Sequence, residues 1–207
     1  KGTDREDMVI ENDIAFGALI TKLEETNDPR NPGHKLIDNT LIIFTSDNGP
    51  NVGDNQGTNQ ESGGLRGKKA KIWEGGHRVP FILFRKQHFE GGTVNRNLFS
   101  LTDLFSTMAS LVSEELKPTE AQDSLDSLPY WKNSERRDKR PRYFFCHLGP
   151  PYENDAIAIR KDSQKVIVSG GLAQPWTKNA TQGSAQPLVS YDLTHDPYEK
   201  EDFSKST

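Results

Sequence analysis

Apolar residues near the start of the chain recur at helical spacing. Ile10 and Ile14 form one of several i, i+4 pairs, and acidic residues crowd the first turn, where the helix dipole favours them. The pattern predicts an amphipathic helix over residues 4–26, packed on a sheet and ended by Asn27-Asp28-Pro29. A second apolar stripe predicts another helix over residues 98–111.

Two apolar runs, at residues 41–44 and 81–84, are too short to be helices. The first is rich in β-branched residues and gives way to a polar segment that favours a turn. We expect both runs to be strands of one mostly parallel sheet, in which the first strand is buried.

The last third of the chain alternates short strand-like runs with turns. It follows a charged, breaker-rich segment at residues 134–142, which marks a boundary. The runs predict a small antiparallel sheet, with strands at residues 143–148, 156–160, 165–168 and 190–193. The predicted fold class is therefore α/β, with a mixed-sheet core and helices in residues 1–133 and an antiparallel-sheet subdomain in residues 134–207.

Groups that could bind a cation follow the first predicted strand directly. Asp47 offers a carboxylate and Asn48 an amide oxygen, both of which suit Ca²⁺ or Mg²⁺. Open α/β sheets bind ligands beyond the carboxyl ends of their strands. Gly49 would let the backbone pass close to a bound group. Asp-Asn-Gly is also a common turn sequence, so this segment alone does not establish a site.

Composition excludes some functions. The 207-residue chain carries a net charge of −4 and has no concentrated basic patch, so nothing supports nucleic-acid binding. No apolar run approaches the roughly 20 residues of a membrane span. The single cysteine, Cys146, rules out an internal disulfide.

Several motifs occur in a fixed order along the chain. The strand at residues 41–44 leads into Ser46-Asp47-Asn48-Gly49-Pro50, and a polar loop precedes the segment Gly63-Gly64-Leu65-Arg66-Gly67-Lys68-Lys69. The segment Trp73-Glu74-Gly75-Gly76-His77-Arg78-Val79-Pro80 then enters the second strand. This order and spacing resembles the formylglycine-dependent sulfatases of the arylsulfatase type, which have an alkaline-phosphatase-like fold. The resemblance covers residues 4–203 and only the carboxy-terminal half of such an enzyme.

The resemblance implies roles for named residues. Asp47 and Asn48 would bind Ca²⁺ or Mg²⁺, and Asp47 would also accept a proton from the nucleophile. Lys69 would contact the sulfate, and counting back from Trp73 favours it over Lys68. Asp47 and Lys69 are thus the catalytic candidates. The formylglycine nucleophile and the remaining metal ligands would belong to an amino-terminal half that this sequence lacks.

Other residues of these motifs are expected to support the site. Glu74 and Arg78 flank a Gly-Gly turn and could pair with each other. An imidazole ordinarily titrates near neutrality, which makes His77 a candidate general acid, but its position in the family usually holds a small apolar residue, so we do not expect catalysis there. The segment at residues 124–131 resembles a family connector and is expected to be extended. Residues 191–199 resemble the family's entry to a last helix, of which the first turn would be present.

The resemblance also implies partners and location. The expected substrate is a sulfate ester, either an aryl sulfate or a sulfated glycan, and the expected partner is the amino-terminal half of the same polypeptide. Export to a periplasmic, extracellular or lysosomal compartment is also implied. Two alternatives stay open: a phosphate or phosphonate ester hydrolase of the same superfold, and an inactive relative that binds sulfated glycans. On its own, this chain is expected to be inactive.

Overall fold

The computed structural model describes residues 4–51, 60–140, 143–148, 156–169 and 186–202. Most of the polar loop expected at residues 51–62 lies outside these ranges. The helices are α1 Asp4–Glu25, α2 Glu74–His77, α3 Leu104–Leu111 and α4 Leu128–Trp131. The strands are β1 Ile42–Thr45, β2 Phe81–Phe84, β3 Phe144–Leu148, β4 Ala156–Lys161, β5 Gln164–Ser169 and β6 Gln186–Asp192.

The strands form two sheets. β1 pairs with β2 in a two-stranded sheet, which confirms that the runs flanking the glycine-rich segment belong together. β3 to β6 form a four-stranded sheet in chain order, and every neighbouring pair is antiparallel. The predicted antiparallel sheet is therefore present. Its last strand begins earlier than expected, and the register between β5 and β6 shifts at Ile167 and Val168.

The chain divides into two compact units. Unit 1 comprises Lys1–Phe44, Ile82–Arg96 and Leu128–Arg136, and unit 2 comprises Thr45–Phe81, Asn97–Ser127 and Arg137–Thr207. This grouping differs from the predicted division at residue 134. It places the antiparallel sheet in the same compact unit as the motif-bearing segments that follow β1.

Unit 1 buries less apolar surface than the sequence suggested. Phe16 of α1 contacts Phe44 of β1, with ring centroids 5.9 Å apart. Ile10 and Ile14, expected on the packed face of the helix, are 56% and 66% exposed. Phe44 itself is 47% exposed, so the prediction of a buried first strand is wrong. In a two-stranded sheet each strand has one neighbour, and little covers its faces.

Unit 2 has a small core between the antiparallel sheet and the segment before α2. Its buried members are Ile72, Ala158, Ile167, Tyr191 and Leu193. Trp73 and Val189 pack against this group and are partly buried. The core therefore fixes residues 72–73, immediately before the Glu-Gly-Gly turn, against strands β4 to β6.

The helix predicted at residues 98–111 begins later. A 3-10 turn at Leu101–Asp103 precedes α3, and Ser100 caps it by accepting a hydrogen bond from Thr102 N. Buried Asp103 accepts hydrogen bonds from the backbone N–H groups of Ser100 and Leu125. These bonds fix the connector at residues 124–127 to the start of the helix.

One local prediction is wrong, and another lies largely outside the described residues. The connector at residues 124–131 is not extended throughout, because α4 occupies Leu128–Trp131; its Pro129 lies in the first turn, where no N–H group is needed. Residues 193–202 form turns, and the first turn of the helix expected to follow residues 191–199 lies largely outside the described residues. Glu199 lies in the left-handed region with φ 55° and is fully buried, so this segment ends in a packed turn.

Candidate functional site

The predicted cation ligands lie in the turn after β1. Asp47 is exposed and Asn48 is half-buried. Ser46 Oγ donates to Asn48 O at 2.9 Å, and Asn48 Nδ2 donates to Gly49 O at 2.9 Å. The second bond uses the amide nitrogen of Asn48, so the amide oxygen, which is the hard ligand, remains for a cation.

Backbone hydrogen bonds bring three motif segments together. Gly49 N donates to Gly76 O at 2.9 Å, and Lys69 N donates to Pro50 O at 2.7 Å. Gly75 N donates to Arg66 O at 2.7 Å. The Asp47 turn, the lysine-bearing loop and α2 are therefore neighbours, although they are up to 27 positions apart in the sequence. We name this arrangement the three-segment crossing.

Glycines make the crossing possible. A Cβ atom on Gly49 would lie 1.8 Å from Gly75 O, and one on Gly76 would lie 2.0 Å from Lys71 O. Both contacts are with backbone atoms, which cannot swing aside. Gly49 was predicted to admit a bound group; in the structure its missing side chain admits the backbone of α2.

The lysines follow in a tight turn. Lys71 N donates to Lys68 O at 2.9 Å, and Ala70 has a positive φ of 61°. Lys69 is exposed, whereas Lys68 and Lys71 are half-buried. The backbone bond from Lys69 to Pro50 lies next to the Asp47 turn. The convergence of the Lys69 ammonium with the Asp47 carboxylate stays a prediction, as does the choice of Lys69 over Lys68.

Glu74 is the centre of a buried ion cluster. Its side chain is 0% exposed, and Oε2 lies 2.7 Å from Arg160 Nη1 while Oε1 lies 3.2 Å from Lys165 Nζ. The expected partner, Arg78, is present but farther away, at 3.9 Å. Glu74 thus joins α2 to strands β4 and β5.

Glu199 completes this cluster. Its Oε1 lies 2.7 Å from Lys165 Nζ, and its Oε2 accepts a hydrogen bond of 2.6 Å from Glu74 N. Sequence reasoning missed Glu199, Lys165 and Arg160 as parts of the site. Glu199 had a signal, since it ends the Asp196-Pro197-Tyr198-Glu199 motif, but that motif was interpreted as the entry to a helix.

Arg66 binds the lysine-bearing loop to the same carboxy-terminal segment. Its Nη1 donates to Glu199 O at 2.9 Å and to Tyr191 Oη at 3.1 Å. The guanidinium carbon also lies 4.2 Å from the centroid of the Trp73 ring, a cation–π distance. Two of the three crossing segments are thus anchored to residues 191–199.

The cluster shifts the pKa values of its titratable members in different directions. Burial opposes ionisation of Glu74, but the hydrogen bond from His77 and the positive charges of Lys165 and Arg160 outweigh it and lower the pKa of Glu74 to about 2. Burial raises the pKa of Glu199, against the opposing effect of Lys165. Burial also lowers the pKa of His77, whose Nε2 lies 3.2 Å from Glu74 Oε1.

His77 is poorly placed for proton transfer to a substrate. Its ring stacks on Phe144, with centroids 5.4 Å apart, and its side chain is 15% exposed. Nδ1 is buried without a hydrogen-bond partner among the described residues. His77 therefore serves the Glu74 cluster as a neutral donor, which agrees with its exclusion as a general acid.

The oxygens of Asp47 and Asn48 are of the kind that a hard cation binds, but they are too few to complete its coordination. Asp47 and Asn48 supply a carboxylate and an amide, the groups that Ca²⁺ and Mg²⁺ prefer. Within the described ranges no three His, Cys, Asp or Glu side chains come together as a metal site. These two residues would therefore be part of a larger ligand set.

Comparison with known proteins agrees with the motif order. The sulfatase family model matches residues 4–114, more than half of the chain. The chain belongs to the sulfatase family. It is 28% identical to an N-acetylgalactosamine-6-O-sulfatase of Bacteroides thetaiotaomicron over 97% of its length, and 30% identical to bovine arylsulfatase A over 93%. It spans 38% and 37% of the lengths of these two sulfatases.

Solved structures share its fold. The chain is 26% identical to the protein in the crystal structure of Ps i-CgsB, with a TM-score of 0.61 over 83% of this chain and 34% of that one. The α/β fold class with an alkaline-phosphatase-like, sulfatase-type architecture is thus confirmed. Across the described part of the sulfatase chain, no helix has the length and apolar character that crossing a membrane requires.

Proposed function

We propose that the protein to which this sulfatase chain belongs hydrolyses sulfate esters, and that the three-segment crossing forms one side of its active site. The observation that carries this proposal is the pair of hydrogen bonds from Gly49 N to Gly76 O and from Lys69 N to Pro50 O. These backbone bonds support the proposal because they join the turn that carries Asp47 and Asn48 to α2 and to the loop that carries the exposed Lys69. With the two side chains turned toward each other, as we propose, the carboxylate would bind a cation and the ammonium an anionic ester.

Asp47 and Asn48 would hold a divalent cation, Ca²⁺ or Mg²⁺. When bound, such an ion supplies positive charge that polarises the sulfate group. Asp47 is exposed, so its carboxylate would also accept a proton from a nucleophile at this site. The remaining ligands and a formylglycine nucleophile would come from residues outside this chain, which spans less than two fifths of its relatives.

Lys69 would bind a sulfate oxygen. An ammonium is a compact cation with three donors, and it balances negative charge as the ester bond breaks.

Export of the whole protein is part of the same proposal, as is a substrate that is an aryl sulfate or a sulfated glycan. Glu74 and Arg78 would act indirectly, since Glu74 is fully buried and holds α2 in place.

The test is the turnover of an aryl sulfate by the full-length protein. Lys69→Ala is expected to lower kcat by about 10²- to 10³-fold, the usual loss for one preorganised charge contact. Lys68→Ala and Lys71→Ala are matched controls in the same turn and should stay near the wild type. Asp47→Ala should abolish both turnover and its dependence on added Ca²⁺ or Mg²⁺.

Other outcomes would redirect the proposal. Equal losses at all three lysines would mean that the turn is only a solvated basic surface, and a loss confined to Lys68→Ala would transfer the role to that residue. Turnover of the matching aryl phosphate without the sulfate would favour a phosphate ester hydrolase. Binding of a sulfated glycan without turnover of either ester would favour an inactive relative.

A further inference from the structure

The ion cluster around Glu74 is unusual in its depth. Glu74 and Glu199 are 0% exposed and Lys165 is 1% exposed. A buried charge is tolerated only when it is paired and hydrogen-bonded. Two carboxylates, Glu74 and Glu199, are paired here with Lys165 and Arg160, Arg78 lies farther from Glu74 at 3.9 Å, and burial favours the neutral form of His77. Each buried carboxylate of the cluster therefore has a cation within ion-pair distance, and Lys165 serves both of them.

The cluster is also connected to the candidate site by short bonds. Glu199 Oε2 accepts from Glu74 N, the first N–H of α2. Two positions later in α2, Gly76 O accepts from Gly49 N, which follows Asp47 and Asn48 directly. Along this route one turn of backbone separates the Glu199 carboxylate from the proposed cation ligands.

A second route leads to the lysine. Glu199 O accepts from Arg66 Nη1, and Arg66 O accepts from Gly75 N. Arg66 begins the loop that carries Lys69, whose own N–H donates to Pro50 O. Glu199 therefore holds both α2 and the lysine loop, and Lys165 holds Glu199 and Glu74 together at 2.7 Å and 3.2 Å.

We propose that Glu199 and Lys165 are positioning residues that set the distance between the Asp47–Asn48 turn and Lys69, an inference that rests on the proposed sulfate-ester hydrolysis. Neither residue touches the substrate. Their effect reaches the reaction through the backbone of α2 and the lysine loop. A misplacement of about 1 Å at such a distance can cost about a hundredfold in rate.

The experiment measures kcat and KM for an aryl sulfate in the full-length protein. Glu199→Gln keeps an acceptor for Glu74 N but removes the charge that Lys165 needs, and Glu199→Ala removes both. We expect kcat to fall about tenfold in the first variant and about a hundredfold in the second, with KM changed by less than about threefold. Lys165→Met should behave like Glu199→Gln, and Lys165→Arg should recover part of the loss.

Two controls separate positioning from general stability. Glu201→Gln changes an exposed acid two positions away and should leave kcat unchanged. Ile37→Ala creates a cavity at a buried site of unit 1 and should lower Tm without a matching fall in kcat. All rates are measured at a temperature where circular dichroism shows each variant to be folded.

A readout without activity tests the same inference. Hydrogen exchange of the backbone amides of Gly49 and Lys69 should accelerate in Glu199→Ala and Lys165→Met, but not in Ile37→Ala. Wild-type exchange and wild-type kcat in Glu199→Ala would overturn the inference, and so would an equal fall of kcat in Ile37→Ala at the same loss of Tm. If the wild type releases no sulfate, the proposed function fails, and the exchange result alone decides positioning.

Discussion

At the scale of single residues, the site depends as much on absent side chains as on charged ones. Gly49 and Gly76 lie where a Cβ atom would enter the backbone of another segment. Their hydrogen bond of 2.9 Å requires that approach. The crossing therefore converts three glycine-containing motifs into one compact arrangement, and the exposed Asp47 and Lys69 side chains extend from it.

The first prediction concerns Gly49→Ala. The new methyl group would lie 1.8 Å from Gly75 O, so either the turn or α2 must move. We expect the free energy of unfolding of unit 2 to fall by about 1–3 kcal/mol, the range for overpacking. Chemical denaturation followed by tryptophan fluorescence measures this loss, with Trp131 and Trp176 replaced by Phe in every variant so that Trp73, which precedes α2, is the reporter.

Gly17→Ala is the matched control. Nothing lies within 4 Å of a Cβ atom at Gly17, which is in α1, so this change should be neutral or stabilise the helix by up to about 1 kcal/mol. If Gly49→Ala and the wild type had the same unfolding midpoint, the segments of the three-segment crossing would be packed less closely than the structure indicates.

At the scale of elements, α2 is a helix that its own sequence cannot sustain. It has four residues, Glu-Gly-Gly-His, and each glycine disfavours a helix by about 1 kcal/mol. Bonds from outside hold it: Glu199 Oε2 accepts from Glu74 N, and Arg66 O accepts from Gly75 N. The element exists because the carboxy-terminal sheet and the lysine loop fix its first turn.

This dependence explains which parts of the structure the sequence could predict. α1 ends within one residue of its predicted end, and β2 has its predicted bounds, because both follow from local periodicity. The partners of Glu74 could not be predicted, since Lys165 and Glu199 lie 91 and 125 positions away. A local sequence pattern does not predict which distant residues will pair when the chain packs.

The second prediction concerns pH and α2. Burial and the nearby Lys165 and Arg160 lower the pKa of His77 below its ordinary value of 6.5, against the effect of Glu74. The unfolded chain therefore binds a proton at a higher pH than the folded chain. The stabilisation due to neutral His77 is fully present above pH 6.5 and is lost as the pH falls from there toward the lowered pKa.

Urea unfolding between pH 7.5 and about pH 5 measures this effect, with the midpoint as the observable. His77→Gln keeps a donor for Glu74 but does not titrate, so its midpoint should decrease less than that of the wild type. His195→Gln removes an exposed histidine and should follow the wild type. Identical pH profiles for His77→Gln and the wild type would mean that His77 is protonated without cost in the folded protein.

At the scale of the whole chain, the two units differ in how well they bury their apolar residues. Unit 2 has a core of Ile72, Ala158, Ile167, Tyr191 and Leu193 and a buried ion cluster. Unit 1 leaves large apolar side chains more than half exposed, among them Met8, Ile14 and Ile82. Sequence periodicity identified these residues as apolar positions of a helix and a strand, but it could not say what covers them, because that depends on contacts beyond the element itself.

The last prediction is that the 207-residue chain alone neither binds Ca²⁺ tightly nor releases sulfate. Ca²⁺ takes about 6–8 oxygen ligands, of which Asp47 and Asn48 supply two or three. Over the described ranges, no group of three or more acidic, histidine or cysteine side chains adds to them. We therefore expect a dissociation constant weaker than about 10⁻⁴ M, the weak end of natural calcium sites.

Calorimetric titration of Ca²⁺ and Mg²⁺ into the purified chain measures this affinity, and an aryl sulfate assay is run on the same sample. Sedimentation should first establish a protein concentration at which the chain is monomeric, because the exposed apolar residues of unit 1 favour association. Asp47→Ala is the control: a weak heat of binding that disappears in this variant comes from the turn after β1. Micromolar binding or measurable sulfate release by the unmodified chain would show that a complete site exists within these residues, and Asp47 and Asn48 would then have partners other than those proposed.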